Sequence, residues 1–262
     1  MNKIRTIIAK EWAEVFQNRM VVFSVIFMPL MFAGLPLLML YTMRGSTGMA
    51  DSAGIPSSLL RGCAEGLTVA ECMQVYFVTQ FMMLFMLTPL IVPVNIAAYS
   101  IAGEKTTRSL EPLLATPITT AELLAGKNLA AVIPAVLATW LSFALFGLGA
   151  RLLVGNAKVL TALLDPMWWL AILVVGPLLS VLSTNFALMV SSRVNDPRVA
   201  EQLSALIMLP LLVLFFGQIA GFIFLNTRLM LVLAVAMVAV DALMVLLATQ
   251  VFQREAILTR WK

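Results

Sequence analysis

Residues 76–102 read YFVTQFMMLFMLTPLIVPVNIAAYSIA, 27 positions without a single formal charge. At 1.5 Å per residue this run gives about 40 Å of helix, more than the hydrocarbon thickness of a bilayer. Five further stretches share its character, at about 20–43, 129–150, 167–191, 203–225 and 229–252. None shows the strict alternation that a lipid-facing barrel strand requires. Pro29, Pro36, Pro89, Pro93, Pro134, Pro177 and Pro210 fall inside these spans. Within a membrane such prolines read as kinks, because neighbouring helices can satisfy the backbone groups they free. The predicted fold is an all-α polytopic membrane protein with six transmembrane helices.

The whole-chain composition agrees. Of 262 residues, 61% are apolar and 11% charged, with a mean hydropathy of +1.00. Soluble domains run nearer 45–50% and about 25%. One core of this length could not bury so much hydrocarbon, which excludes a soluble enzyme, a nucleic-acid binder and a disordered tail. The chain has no His and only two Cys. That removes His-dependent triads, zinc sites of the HExxH type and proton relays through imidazole. No phosphate loop of the GxxxxGK[ST] type occurs, so no nucleotide is held by that route and no cofactor is expected on this chain.

The basic residues set the expected orientation. The N-terminal segment and the 103–128, 192–202 and C-terminal segments carry 12 Lys and Arg, against 5 in the 44–75, 151–166 and 226–228 loops. The positive-inside rule places both termini in the cytoplasm of a cell-membrane protein. The first span is too long for the apolar core of a signal peptide, so it reads as a retained helix. Asp165-Pro166 and Asp196-Pro197 are helix starts, an N-cap acid before a proline at the first helical position. Trp168 and Trp169 read as an outer aromatic belt.

Outside the spans, residues 1–19 form a separate unit. In the run KIRTIIAKEWAEVFQN, residues 3–18, Ile4, Ile7, Ile8, Trp12, Val15 and Phe16 recur at steps of three and four. This predicts an amphipathic helix lying in the membrane interface. The outer loop 44–75 holds five of the 14 Gly and both cysteines, Cys63 and Cys72. On the oxidising side they are candidates for a disulfide, with two free thiols as the alternative. Asp241 is the one formal charge within the spans. It is expected to be protonated, hydrogen-bonded to a residue such as Asn95, Ser180 or Thr139, or turned toward a hydrated path or a partner chain. Those options make it either polar glue between helices or part of a transport path.

The 103–128 loop is the most informative non-membrane segment. Its sequence, GEKTTRSLEPLLATPITTAELLAGK for residues 103–127, predicts a short amphipathic helix over about 107–115, a stop at Thr116-Pro117, and a restart at the capping box Thr119-x-x-Glu122. Lys127 is placed at the membrane boundary, where its stem would snorkel.

In Glu104, Leu113-Leu114, Thr116-Pro117 and Lys127 this loop resembles the cytoplasmic loop between spans two and three of type-2 ABC exporter permeases, nearest the sodium-efflux and drug-export branch. The layout of an interfacial helix and six spans is similar too. The resemblance implies a membrane subunit that is not itself an enzyme, exporting a substrate across the plasma membrane. It also implies two copies of a separate ABC ATPase that hold ATP and Mg, a second permease copy or homologue, and no nucleic acid. The 107–117 helix would couple to the ATPase, with Leu110, Leu113 and Leu114 filling a groove and Glu104, Arg108 and Glu111 at its rim. An ATP-independent secondary transporter or channel is the alternative, disfavoured because such carriers usually place several ionisable groups in the membrane.

Overall fold

The computed structural model describes residues 2–17, 19–43, 67–106, 118–223 and 225–251. Among them there are helices, turns and no strand. In chain order these are α1 (Asn2–Val15), α2 (Arg19–Met43), α3 (Val69–Phe85), α4 (Thr88–Thr106), α5 (Thr120–Leu153), α6 (Ala157–Leu163) and α7 (Pro166–Leu170). A π turn (Ala171–Val175), α8 (Gly176–Arg193), α9 (Pro197–Ser204), a 3-10 turn (Ala205–Met208), α10 (Leu209–Ile219) and α11 (Thr227–Val251) follow. Six helical stretches are long and apolar enough to cross a membrane, and the chain is a multi-pass all-α membrane protein.

α4 and α8 form the centre. Small residues on both (Ala97, Ala98 and Ala102 against Ser183, Ala187 and Ser191) let the backbones approach closely. The Ser191 hydroxyl stands between one carbonyl and one amide of α4, donating to Ala98 O (2.8 Å) and accepting from Ala102 N (2.9 Å). α5 and α2 pack on one side of this pair, and α11 packs on α8. The α3–α4 crossing is 78% buried in the bundle and the α9–α10 crossing 11%, so the latter lies on the outside of the bundle.

Two crossings are not continuous, and proline explains both. The second, expected as an unbroken helix over 76–102, divides at Met86-Leu87. Pro89 has no N–H to offer the Phe85 carbonyl, so α3 ends in tight i→i−3 bonds, Met86 N to Met83 O (3.1 Å) and Leu87 N to Leu84 O (2.9 Å). The fourth widens into the π turn before Pro177. There Gly176 N–H reaches back five residues to Ala171 O. The next donor in that pattern would be Pro177, which has none, and the indole Nε1 of Trp140 takes the freed Ile172 carbonyl at 3.1 Å.

Several sequence expectations need revision. The fifth crossing begins at Pro197, where the Asp196 carboxylate caps Arg198 N, and ends at Ile219, not 225. Gly221 adopts φ 77°, and the amides of Phe222 and Ile223 close on Gly217 O, a left-handed helix stop. The 151–166 loop contains a helix, α6, whose Val159 and Leu163 enter the core. Trp168 is not an interfacial anchor: it is 1% exposed inside the bundle, and only Trp169 faces outward.

Trp140→Phe keeps an aromatic ring, though a smaller one, and removes the donor to Ile172 O. We expect the folded protein in micelles to lose about 1 kcal/mol against denaturing detergent, within the range for hydrogen bonds lost in a membrane. An unchanged unfolding curve would mean that the carbonyl has another partner.

Candidate functional site

α1 presents Ile7, Glu11 and Val15, four residues apart, to the bundle, and all three are buried. A carboxylate in the middle of an apolar stripe is costly unless it is paired. Lys127 of α5 supplies the charge, with its Nζ 2.7 Å from Glu11 Oε1 and 3.0 Å from Glu104 Oε2 of α4. Ser100 completes the group, donating to Glu11 Oε2 at 2.8 Å while its hydroxyl and carbonyl accept from Lys127 at 2.7 and 3.2 Å. Lys10 closes on Glu104 from the other side. Burial disfavours the charged form of Lys10, but the adjoining Glu104 carboxylate outweighs it and holds the pKa above the ordinary value. Two ammonium groups and two carboxylates thus neutralise one another across three helices.

The fit around the cluster is close. Gly126 packs against Ile7, and a Cβ there would stand 2.7 Å from Ile7 Cγ2. Trp12 Nε1 donates to Ala130 O at 2.9 Å. In an unbroken helix that carbonyl would accept from residue 134, a proline, so α1 binds to the acceptor that Pro134 leaves open. Nearby, Lys105 reaches the last carbonyls of α8, Ser191 O at 3.4 Å and Ser192 O at 2.5 Å, and the carbonyl of its cap residue Val194 at 3.2 Å. These bonds suit the negative end of the helix dipole. α1, α4, α5 and α8 are therefore fastened at one end of the bundle, where residues 107–117 join α4 to α5.

The sequence-predicted residues divide accordingly. Arg108, Leu110, Glu111, Leu113, Leu114, Thr116, Pro117 and Cys63 lie outside the described residues. The capping box that follows is formed, with Thr119 N on Glu122 Oε2 (2.8 Å) and Glu122 N on Thr119 Oγ1 (3.2 Å). Glu104 is 4% exposed, so it belongs to the internal cluster rather than to a rim. Lys127 does not snorkel, because at 2% exposure two carboxylates and Ser100 hold it inside. Cys72 is buried on the first turn of α3. Sequence reading missed Glu11, although its i±4 position between Ile7 and Val15 was the available signal.

A second polar group lies midway along the bundle. One apolar cluster fills the far end and another the α1 end. Along α5 they stop at Phe143 and Ala135, along α8 at Leu179 and Ala187, and along α11 at Ala234 and Ala248. Thr139, Ser180, Ser183, Thr184 and Asp241 occupy the intervals, all buried, with Thr88 beside the same boundary on α4. Asp241 is 7% exposed, and neither of its oxygens has a hydrogen-bond partner. The expected partners do not reach it: Thr139 donates to Ala135 O and Ser180 to Gly176 O, each within its own helix. Asn95 is half-buried on α4.

Gly126→Val would place a branched side chain against Ile7, and we expect it to displace α1 without unfolding the spans. Limited proteolysis should then cut within residues 2–17 at least tenfold faster than in the wild type. Equal rates would show that α1 does not depend on this contact.

No individual curated protein matches the chain. A family model described as ABC-2 family transporter protein matches residues 5–252, almost the full length and including α1, both halves of the charge cluster and Asp241. The chain belongs to the ABC-2 family of transporter proteins, as a membrane permease component.

Proposed function

We propose that the chain is the membrane subunit of an ATP-driven exporter in the cell membrane. A separate ABC ATPase, in two copies, holds ATP and Mg, and a second permease copy or homologue completes the transporter. Family membership supports the class. The observation that carries the coupling is the cluster of buried Glu11, Glu104 and Lys127, joined by the half-buried Lys10, at both roots of the 107–117 segment. Movement applied to that segment reaches α4 through Glu104 and α5 through Lys127, and α1 moves with them because Glu11 and Lys10 are shared. Buried ion pairs are costly to separate, so the helices shift together rather than slide.

In this reading both termini and the 107–117 segment are cytoplasmic, as the distribution of Lys and Arg predicts. Leu110, Leu113 and Leu114 anchor the ATPase, while Arg108 and Glu111 orient it, since buried aliphatic contacts hold a complex and rim charges tune encounter. Efflux of sodium or of a drug-like molecule is the branch of cargo that the loop motif suggests.

Leu113→Ser combined with Leu114→Ser should leave the protein inserted and folded but abolish co-purification with the ATPase. Glu104→Gln should retain assembly and lower transport-coupled ATP hydrolysis. Full ATPase binding and full transport in the double leucine variant would overturn the assignment of the coupling element.

At the far end we take Cys63 and Cys72 to form a bridge. The closed loop of about ten residues is worth roughly 2.7 kcal/mol on the chain-entropy account. Denatured, unreduced protein should show no thiol reactive to maleimide, and two reactive thiols would reject the bridge.

A further inference from the structure

Asp241 is used by none of the contacts described so far. It lies on the face of α11 formed by Met230, Ala234 and Ala248, which packs into the bundle. The elements against α11 are α8, α7, the π turn and α5. Their residues 128–150 and 166–192 include no ionisable side chain, and the nearest charges along them are Lys127, Arg151, Asp165 and Arg193 at the membrane ends. Nothing in the middle of the bundle compensates a carboxylate, so its negative charge is matched either by a proton or by something that binds.

The surrounding belt decides the sign of what binds. Thr139, Ser180 and Thr184 each donate their proton to a carbonyl four residues back, at 2.8, 3.1 and 2.6 Å. Ser183 donates to the carbonyls of Pro89 and Ser180. A hydroxyl bonded in this way has no proton left to offer and presents only oxygen lone pairs. Asp241 lies at the same level along the bundle, since Ala234 shares the far-end cluster with Ile172 and Ala248 the other cluster with Leu188. Four acceptor hydroxyls at the level of an unpartnered carboxylate favour a cation over an anion, and the one unpartnered hydroxyl at that boundary, Thr88, can turn a lone pair the same way.

We propose that Asp241 and the hydroxyl belt of α5 and α8 form an intramembrane binding site for a cationic group, either an alkali cation or a protonated amine. In the empty site the carboxyl carries a proton, and the arriving cation replaces it, leaving a carboxylate–cation pair and one proton released to solvent. The inference deepens the proposed transport function by naming the charge of the cargo. Binding itself needs no ATPase, so it stands or falls separately from the coupling reading.

The test uses the full-length permease in lipid nanodiscs without an ATPase, with ethidium and radioactive sodium as probes and anilinonaphthalene sulfonate as an anion of similar size to ethidium. Ethidium, sodium or both should bind, with about one proton released per cation in lightly buffered solution, and more weakly at pH 5 than at pH 8. Asp241→Asn should weaken binding at least tenfold, Asp241→Glu should largely retain it, and anilinonaphthalene sulfonate should change less than twofold. Displacement of ethidium by NaCl but not by N-methylglucamine chloride at equal ionic strength identifies an alkali-cation site; displacement by N-methylglucamine, or resistance to NaCl, identifies an organic-cation site. The proposal is overturned if folded wild-type protein binds neither cation, if binding releases no proton, or if Asp241→Asn binds as well as the wild type.

Discussion

A proline inside a membrane helix leaves a carbonyl without its donor, and in hydrocarbon no water replaces it. Three such carbonyls define how this bundle closes. Pro134 frees Ala130 O, which Trp12 of α1 takes; Pro177 frees Ile172 O, which Trp140 of α5 takes; Pro93 frees Pro89 O, which Ser183 of α8 takes. In each case the donor comes from a different helix. The defect in one ladder thereby becomes a fixed contact between two, joining α1 to α5, α5 to the π turn, and α8 to α4.

The charge cluster depends on the first of these contacts. Trp12 on Ala130 O sets α1 along α5, one turn from where Gly126 accepts Ile7. In that register Glu11 falls opposite Lys127 and Ser100, and Lys10 falls opposite Glu104. Without it, Lys127 and Glu104 would keep each other, but Glu11 would lose its buried partner, at a cost of several kcal/mol. The cluster is therefore a consequence of precise seating and also its penalty against misseating.

Much of this was legible in the sequence. The six crossings follow from apolar length alone, and the caps at Thr119, Asp165 and Asp196 follow from local hydrogen bonding that needs no tertiary partner. The loop motif led to the correct family. What could not be read depends on which face of a helix meets which neighbour. Trp168 and Trp169 are adjacent and chemically identical, and only the rotation of α7 decides that one is core and the other outward-facing. Lys127 resembles any boundary lysine until Glu11, 116 positions earlier, is placed beside it. Prolines announce kinks, but the partner that receives the freed carbonyl is set by packing.

The position of the irregular turns then divides the bundle mechanically. The break at Met86-Leu87 and the π turn at Ala171–Val175 both lie on the far side of the polar belt, and Gly176 lets Pro89 approach to within 4.0 Å of where a Cβ would sit. On the α1 side of that level α8 runs without interruption, and α4 continues as one helix whose single proline defect, at Pro93, is closed by Ser183 of α8. They are joined at Ser183–Pro89, at Ser191 with Ala98 and Ala102, and at Lys105 with Ser192, and α4 carries the cluster that binds α1 and α5. A helix bends where its ladder is defective and transmits force where the ladder is intact. The segment from the charge cluster to the belt is accordingly the stiff part of this protein, and the first place it can bend is beside Asp241's level, at the turns made by Pro89 and Pro177.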